Sequence, residues 1–219
     1  MKNWITEFIG TFFLVLTVVL CVQLSAATAS LAGIAIGAIL MVMVYMGGPI
    51  SGGHYNPGVS LGVAIRGKLS YGTMISYWIA QFAGAIVATL VGWLLVGHPE
   101  SVGVQALAGP DVLRGLVAEF LFSFALVLTV LSTATSAKSA SNSYFGLAIG
   151  FTVGAGVYAV GSLTGAAFNS AVGLGVCFAG LSDWSNLWIY IVANLLGGIV
   201  AAGAFRVMSP EDHQPGAAA

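Results

Sequence analysis

Ser51-Gly52-Gly53-His54-Tyr55-Asn56-Pro57-Gly58-Val59-Ser60 lies between two long apolar segments, and Leu61-Gly62-Val63-Ala64-Ile65 follows it before the first cluster of positive charge, Arg66 and Lys68. Glycine-rich backbone, then Asn, then Pro, then a short apolar run reads as an unwound approach ending in a helix start. Asn56 is a good N-cap, and Pro57 falls at the first helical position, where a missing N–H costs nothing. The helix that follows has room for about ten residues, roughly 15 Å at 1.5 Å per residue, or half a bilayer core. A half-length helix starting at mid-membrane is tolerated only where it lines a cavity or is buried in protein. The stretch therefore predicts a pore or a buried solute site.

Composition sets the same frame. The chain is 58% hydrophobic and 6% charged, with a mean hydropathy of +1.00. A soluble domain carries about a quarter charged residues, so this chain has too few to cover a water-facing surface and reads as a polytopic membrane protein. A net charge of −1 without a basic patch argues against nucleic acid as a partner. The 30 glycines predict close helix–helix contact, which in lipid comes from small residues. Cys21 and Cys177 both sit in apolar segments and read as packing thiols. No nucleophile–base pair, phosphate loop or metal-ligand spacing is present, so neither an enzyme nor a cofactor is expected.

Six spans are predicted, at residues 4–24, 31–45, 71–95, 113–131, 144–160 and 187–205. Lys2 before an apolar run has the look of a secretory leader, but Glu7 interrupts the run and its length exceeds an h-region. Residues 97–112, with His98, Pro99, Glu100, Pro110 and Asp111, read as a loop, as do Ser136, Lys138, Ser141 and Asn142. One channel-like domain is expected over 1–207, with a flexible tail over 208–219 carrying His213. Lys2, Arg66, Lys68, Lys138 and Arg206 fall on the side of the termini and Arg114 alone on the other, which predicts cytoplasmic termini and an inner cell-membrane location.

An internal repeat decides the architecture. Gly33-Ile34-Ala35-Ile36-Gly37 recurs as Gly146-Leu147-Ala148-Ile149-Gly150, and the same offset of 113 carries Tyr45 to Tyr158, Gly52 to Gly165, Asn56 to Asn169 and Ala80-Gln81 to Ala193-Asn194. At offset 112, Glu7-Phe8 matches Glu119-Phe120, and 14–18 matches 126–130. Each unit (about 1–97 and 113–207) holds three spans, an odd number, so the second is inverted relative to the first. Inverted repeats place their site at the midplane, where half-helix N-termini converge. The second unit supplies its own approach over 162–168, then Asn169-Ser170-Ala171-Val172 opening a short helix towards Phe178. The predicted fold is all-α: six transmembrane helices and two re-entrant half-helices, with Asn56 and Asn169 at their junction.

Thr6-Glu7-Phe8-Ile9-Gly10-Thr11-Phe12, Ser51-Gly52-Gly53-His54-Tyr55-Asn56-Pro57, the Gln81 segment and the second Asn-initiated half-helix resemble the aquaporin and aquaglyceroporin (major intrinsic protein) family over roughly residues 3–207. The resemblance implies a homotetramer with one pore per subunit, passing water or small uncharged solutes across the bilayer without energy input. Both family signatures usually read Asn-Pro-Ala; here they read Asn56-Pro57-Gly58 and Asn169-Ser170-Ala171. Gly58 is expected to loosen its first turn by up to about 1 kcal/mol relative to Ala, whereas Ser170 is acceptable near a helix start.

The larger departure is Val172, which stands where the family has the Arg of its outer selectivity filter. By spacing, the other filter positions fall at Ile36, Val157 and Ala166, so the inferred ring is wholly aliphatic. Loss of the Arg and of large polar neighbours favours a wide ring that passes bulkier neutral solutes. With Val there, the chain resembles the arsenic-resistance subgroup of bacterial aquaglyceroporins, which implies neutral arsenite and methylated arsenicals as solutes.

Glu7 and Glu119 lie within spans, where a carboxylate is expensive, and their symmetry assigns them to holding the re-entrant loops. Gln81 and Asn194 are expected to bond between helices, Tyr45 and Tyr158 to pack, and His54 to line the pore or fold its loop. A poorly conducting structural protein of the same fold and a water-only channel stand as alternatives. A formate/nitrite-type channel is disfavoured by the paired asparagines.

Overall fold

The computed structural model describes residues 1–24, 26–99 and 103–213. Glu100 and the end of the tail, 214–219, lie outside the described residues. Nine helices are described: α1 (Lys2–Leu24), α2 (Ala26–Ser30), α3 (Ala32–Ser51), α4 (Pro57–Ile65), α5 (Tyr71–Val96), α6 (Pro110–Val130), α7 (Phe145–Thr164), α8 (Ser170–Phe178) and α9 (Leu187–Met208). A π-helical turn, Leu131–Thr135, extends α6. Six of these segments are long and apolar enough to cross a membrane, while α4 and α8 have nine residues each. Both cysteines are free.

The spans before the two half-helices run further than their sequence implies. α3 passes Tyr45 and Pro49 to reach Ser51, and α7 continues to Thr164. Each ends on a left-handed glycine, Gly52 (φ 95°) and Gly165 (φ 85°), whose N–H returns to the carbonyl of Gly48 or Gly161. The unwound approaches are therefore four residues long, 52–55 and 165–168, and the predicted approach from 162 was too generous. α6 likewise starts at Pro110 rather than 113, because Pro is suited to the first helical turn.

α1 packs on α3 and α5, and α6 packs in the same way on α7 and α9. The two units meet along α3 and α7, where the repeated tyrosines staple them. The Leu147 N–H donates to the Tyr45 hydroxyl at 3.2 Å and the Ile34 N–H to the Tyr158 hydroxyl at 3.3 Å. Each half-helix packs chiefly on the last span of the opposite unit, α4 on α9 and α8 on α5.

The tail expected to be flexible from 208 is folded through 213. Pro210–His213 forms a 3₁₀ turn against the end of α4. Asp212 lies 3.5 Å from Arg66, and their side chains are only 3% and 5% exposed. The Asp212 carboxylate also accepts the Ala137 N–H at 2.9 Å, and the Arg66 guanidinium sits 5.3 Å from the Phe205 ring centroid. Lys138 reaches Glu211 at 2.7 Å, and its hydrogen bond holds that carboxyl below the usual range. The physical reason for order is Arg66, a buried cation that needs an anion. A chain ending at Met208 leaves that cation unpaired and is expected to lose about 3 to 5 kcal/mol. The thermal unfolding midpoint in detergent checks this; an unchanged midpoint would make the segment a bystander.

Candidate functional site: the junction of two half-helices

Asn56 and Asn169 each take an extended conformation (φ −155° and −163°) and cap the half-helix that follows. The Asn56 Oδ1 accepts the N–H groups of Gly58 at 2.9 Å and Val59 at 3.4 Å. The Asn169 Oδ1 accepts those of Ala171 and Val172 at the same distances, 2.9 and 3.4 Å. Their amide nitrogens cross to the opposite loop: Asn56 Nδ2 donates to the Phe168 carbonyl at 2.9 Å and Asn169 Nδ2 to the Tyr55 carbonyl at 2.8 Å. A primary amide has two donors. One is committed to the facing loop, which leaves the second for a molecule in the cavity that both asparagines line.

The carbonyls that receive them belong to strained residues. Tyr55 (φ 51°) and Phe168 (φ 47°) are bulky and left-handed, at a cost of about 1–3 kcal/mol each. The buried glutamates hold them there. Glu7 accepts the Tyr55 N–H at 2.7 Å, the His54 N–H at 2.9 Å and the Ser51 hydroxyl at 2.6 Å. Glu119 accepts the Phe168 N–H at 2.7 Å, the Ala167 N–H at 3.1 Å and the Thr164 hydroxyl at 2.6 Å. Gln81 adds a bond to Glu7 at 2.8 Å and one to Ser60 at 3.1 Å. The His54 Nδ1 meets the Ser60 hydroxyl at 3.1 Å, and the residue lines the junction cavity.

Several members of this cradle were missed from sequence. Ser51 and Thr164 bond the glutamates, and the Tyr77 and Tyr190 hydroxyls donate to the carbonyls of those same two residues at 2.8 and 2.6 Å. Both pairs obey the offset of 113 that links the asparagines, so the signal was present.

The cavity at the junction obeys the repeat as well. Leu14 faces Leu126 in the pairing, Val18 Val130, Ile36 Ile149 and Leu40 Val153; Gly53, His54, Asn56 and Val59 pair with Ala166, Ala167, Asn169 and Val172. Tyr55 alone of the lining lacks its mate. Val172 is thus the symmetric counterpart of Val59. Ile36, Ala166 and Val172 line this cavity, and Ile36 and Ala166 join Val157, but not Val172, in lining a second, larger one of about 410 Å³. No acidic side chain, Lys or Arg is among the described residues lining either. The junction cavity holds about 20 Å³, enough for about one water molecule. Leu and Val side chains from four spans fill this part of the bore. The N-termini of α4 and α8 both point into it, each carrying about half a positive charge.

The sequence pattern of the major intrinsic protein family matches residues 1–205. The chain belongs to that family. It is 35% identical over 227 residues to a probable aquaporin TIP2-2 of Oryza sativa subsp. japonica, covering 98% of this chain and 90% of the relative. It is equally 35% identical over 220 residues to the glycerol uptake facilitator protein-like 6 of Lactiplantibacillus plantarum, covering 97% and 100%. The X-ray structure of the aquaglyceroporin from Plasmodium falciparum superposes with a TM-score of 0.78 at 20% identity, over 96% of this chain and 98% of that one, a likeness of fold. The protein is accordingly an integral, multi-pass membrane channel and not an enzyme.

Gly58, read from sequence as a loosened first turn, has a packing reason. A Cβ there would lie 2.5 Å from Asn194 Nδ2 and 2.6 Å from the Asn194 carbonyl. Gly58→Ala, which restores the usual family residue, is therefore expected to cost about 1–3 kcal/mol by overpacking. At the repeat-related site, Ala171→Gly should cost only about 1 kcal/mol. Unfolding midpoints of the two variants in detergent check the order, and a neutral Gly58→Ala would refute the clash.

Proposed function

We propose that this channel passes water and small uncharged solutes (glycerol-type molecules and metalloid hydroxides such as arsenous acid) through an outer constriction formed by Ile36, Val157, Ala166 and Val172. The observation that supports this reading is the uncharged lining of both cavities, Val172 included. An aliphatic ring offers nothing in exchange for hydration, and a bare polar group in an apolar medium costs of order 2–7 kcal/mol. Solutes with few polar groups are favoured over ions. Past the ring, the free amide donors of Asn56 and Asn169 supply side-chain hydrogen bonds, and the two half-helix ends repel cations. Relatives named both as aquaporins and as a glycerol facilitator accord with this solute class. In the proposed setting the channel is a homotetramer in the cell membrane, and the distribution of Lys and Arg supports cytoplasmic termini.

The tight junction cavity favours a second reading, a channel for water alone. Stopped-flow light scattering on proteoliposomes separates the two. Under the first reading the wild type passes water, glycerol and arsenous acid. Val172→Arg is then expected to cut the two larger fluxes about tenfold, equivalent to ~1.4 kcal/mol on the barrier. Wild-type vesicles that pass water but exclude both solutes would establish the second reading.

A further inference from the structure

We infer that Asn194 on α9 is a positioning residue for the pore midpoint, and that Gly58 and Ser170, the two departures in the paired motif, are the residues fitted to it. Asn194 is fully buried and lines neither cavity. Its repeat mate Gln81 serves Glu7 and Ser60, but Asn194 does not reach Glu119. Its Oδ1 accepts the Gly58 N–H at 3.0 Å, the Ser170 N–H at 3.1 Å and the Ser170 hydroxyl at 2.9 Å. Its Nδ2 donates to Asn56 Oδ1 and to the Phe168 carbonyl, both at 3.0 Å. One side chain from outside the motif therefore ties the first turns of both half-helices together and braces one of the two caps.

Three features follow from that placement. With the Asn194 amide donating to its Oδ1, Asn56 cannot flip without setting donors against donors. Asn169 has no such brace, since its Oδ1 takes only Ala171 and Val172 among the described residues. Residue 170 must keep an N–H for Asn194 to receive, which Pro lacks; Pro57, its repeat mate, faces no such demand. Residue 58 must lack a Cβ, because that atom would sit 2.5 Å from the Asn194 amide nitrogen. The motif is altered in both halves, and one buried amide accounts for both changes.

The inference rests on the asparagine junction being the conduction path, independent of which solutes cross the outer ring. It is tested by the ratio of proton to water permeability in proteoliposomes, which does not depend on how much protein has folded. Asn194→Asp keeps the acceptor but turns an oxygen towards Asn56 Oδ1 and the Phe168 carbonyl. The added oxygen and its charge are expected to displace the Asn56 cap and weaken the cation barrier at the midpoint, raising the ratio about tenfold or more. Ser170→Ala adds no charge, removes one bond to Asn194 and should raise it about two- to fivefold, the scale of one hydrogen bond. In an Asn194→Ala background, Ser170→Ala should add nothing further. Should the Asn194 variants not fold, Ser170→Ala alone decides. Wild-type ratios in Ser170→Ala and in any folded Asn194 variant overturn the inference, whereas a wild type with no water flux overturns the conduction path instead.

Discussion

A chain that leaves its helix halfway across a membrane must satisfy every backbone polar group it exposes there, because no lipid will. The molecule meets this constraint by making two loops complete each other. The carbonyl exposed by the left-handed Phe168 takes the Asn56 amide, and the one exposed by Tyr55 takes the Asn169 amide. The N–H groups of the same residues go to Glu119 and Glu7. Two carboxylates buried in apolar spans thereby act as anchors for strained backbone. The second hydrogen of each amide is left over, on side chains that line the junction cavity.

The same symmetry governs the walls of the junction cavity. With Val172 matching Val59, and Ile36 matching Ile149, the lining reads nearly the same from either end. Polar side chains in the junction cavity are confined to the asparagine pair, His54 and Tyr55, and the rest of its wall is aliphatic or glycine.

Most of this was legible because a repeat is read by counting. An offset of 113 identified the asparagines and the staple tyrosines and one of 112 the glutamates, and the first would have added Ser51, Thr164, Tyr77 and Tyr190. What escaped was information carried by tertiary proximity. Gly58 looks like a weak helix start until α9 is laid across it. Asn194 looks like the copy of Gln81, yet it is one methylene shorter and serves a different place. The second span reads as ending at Tyr45, but α3 continues through Pro49 to Ser51. The tail reads as polar and unstructured, since nothing local announces that Arg66, some 146 positions earlier, lies buried beside Asp212.

The exchange of half-helices between the two units has a bearing on biogenesis. α4 leans on α9, and its cap is tied to Phe168 and Asn194, residues made more than a hundred positions later. Until they emerge from the ribosome, the first re-entrant loop holds bonds it cannot close, in the place least forgiving of them. The amino-terminal half is then best regarded as cargo awaiting a clasp: it can thread its spans into lipid, but its central loop can settle only once the chain is almost finished.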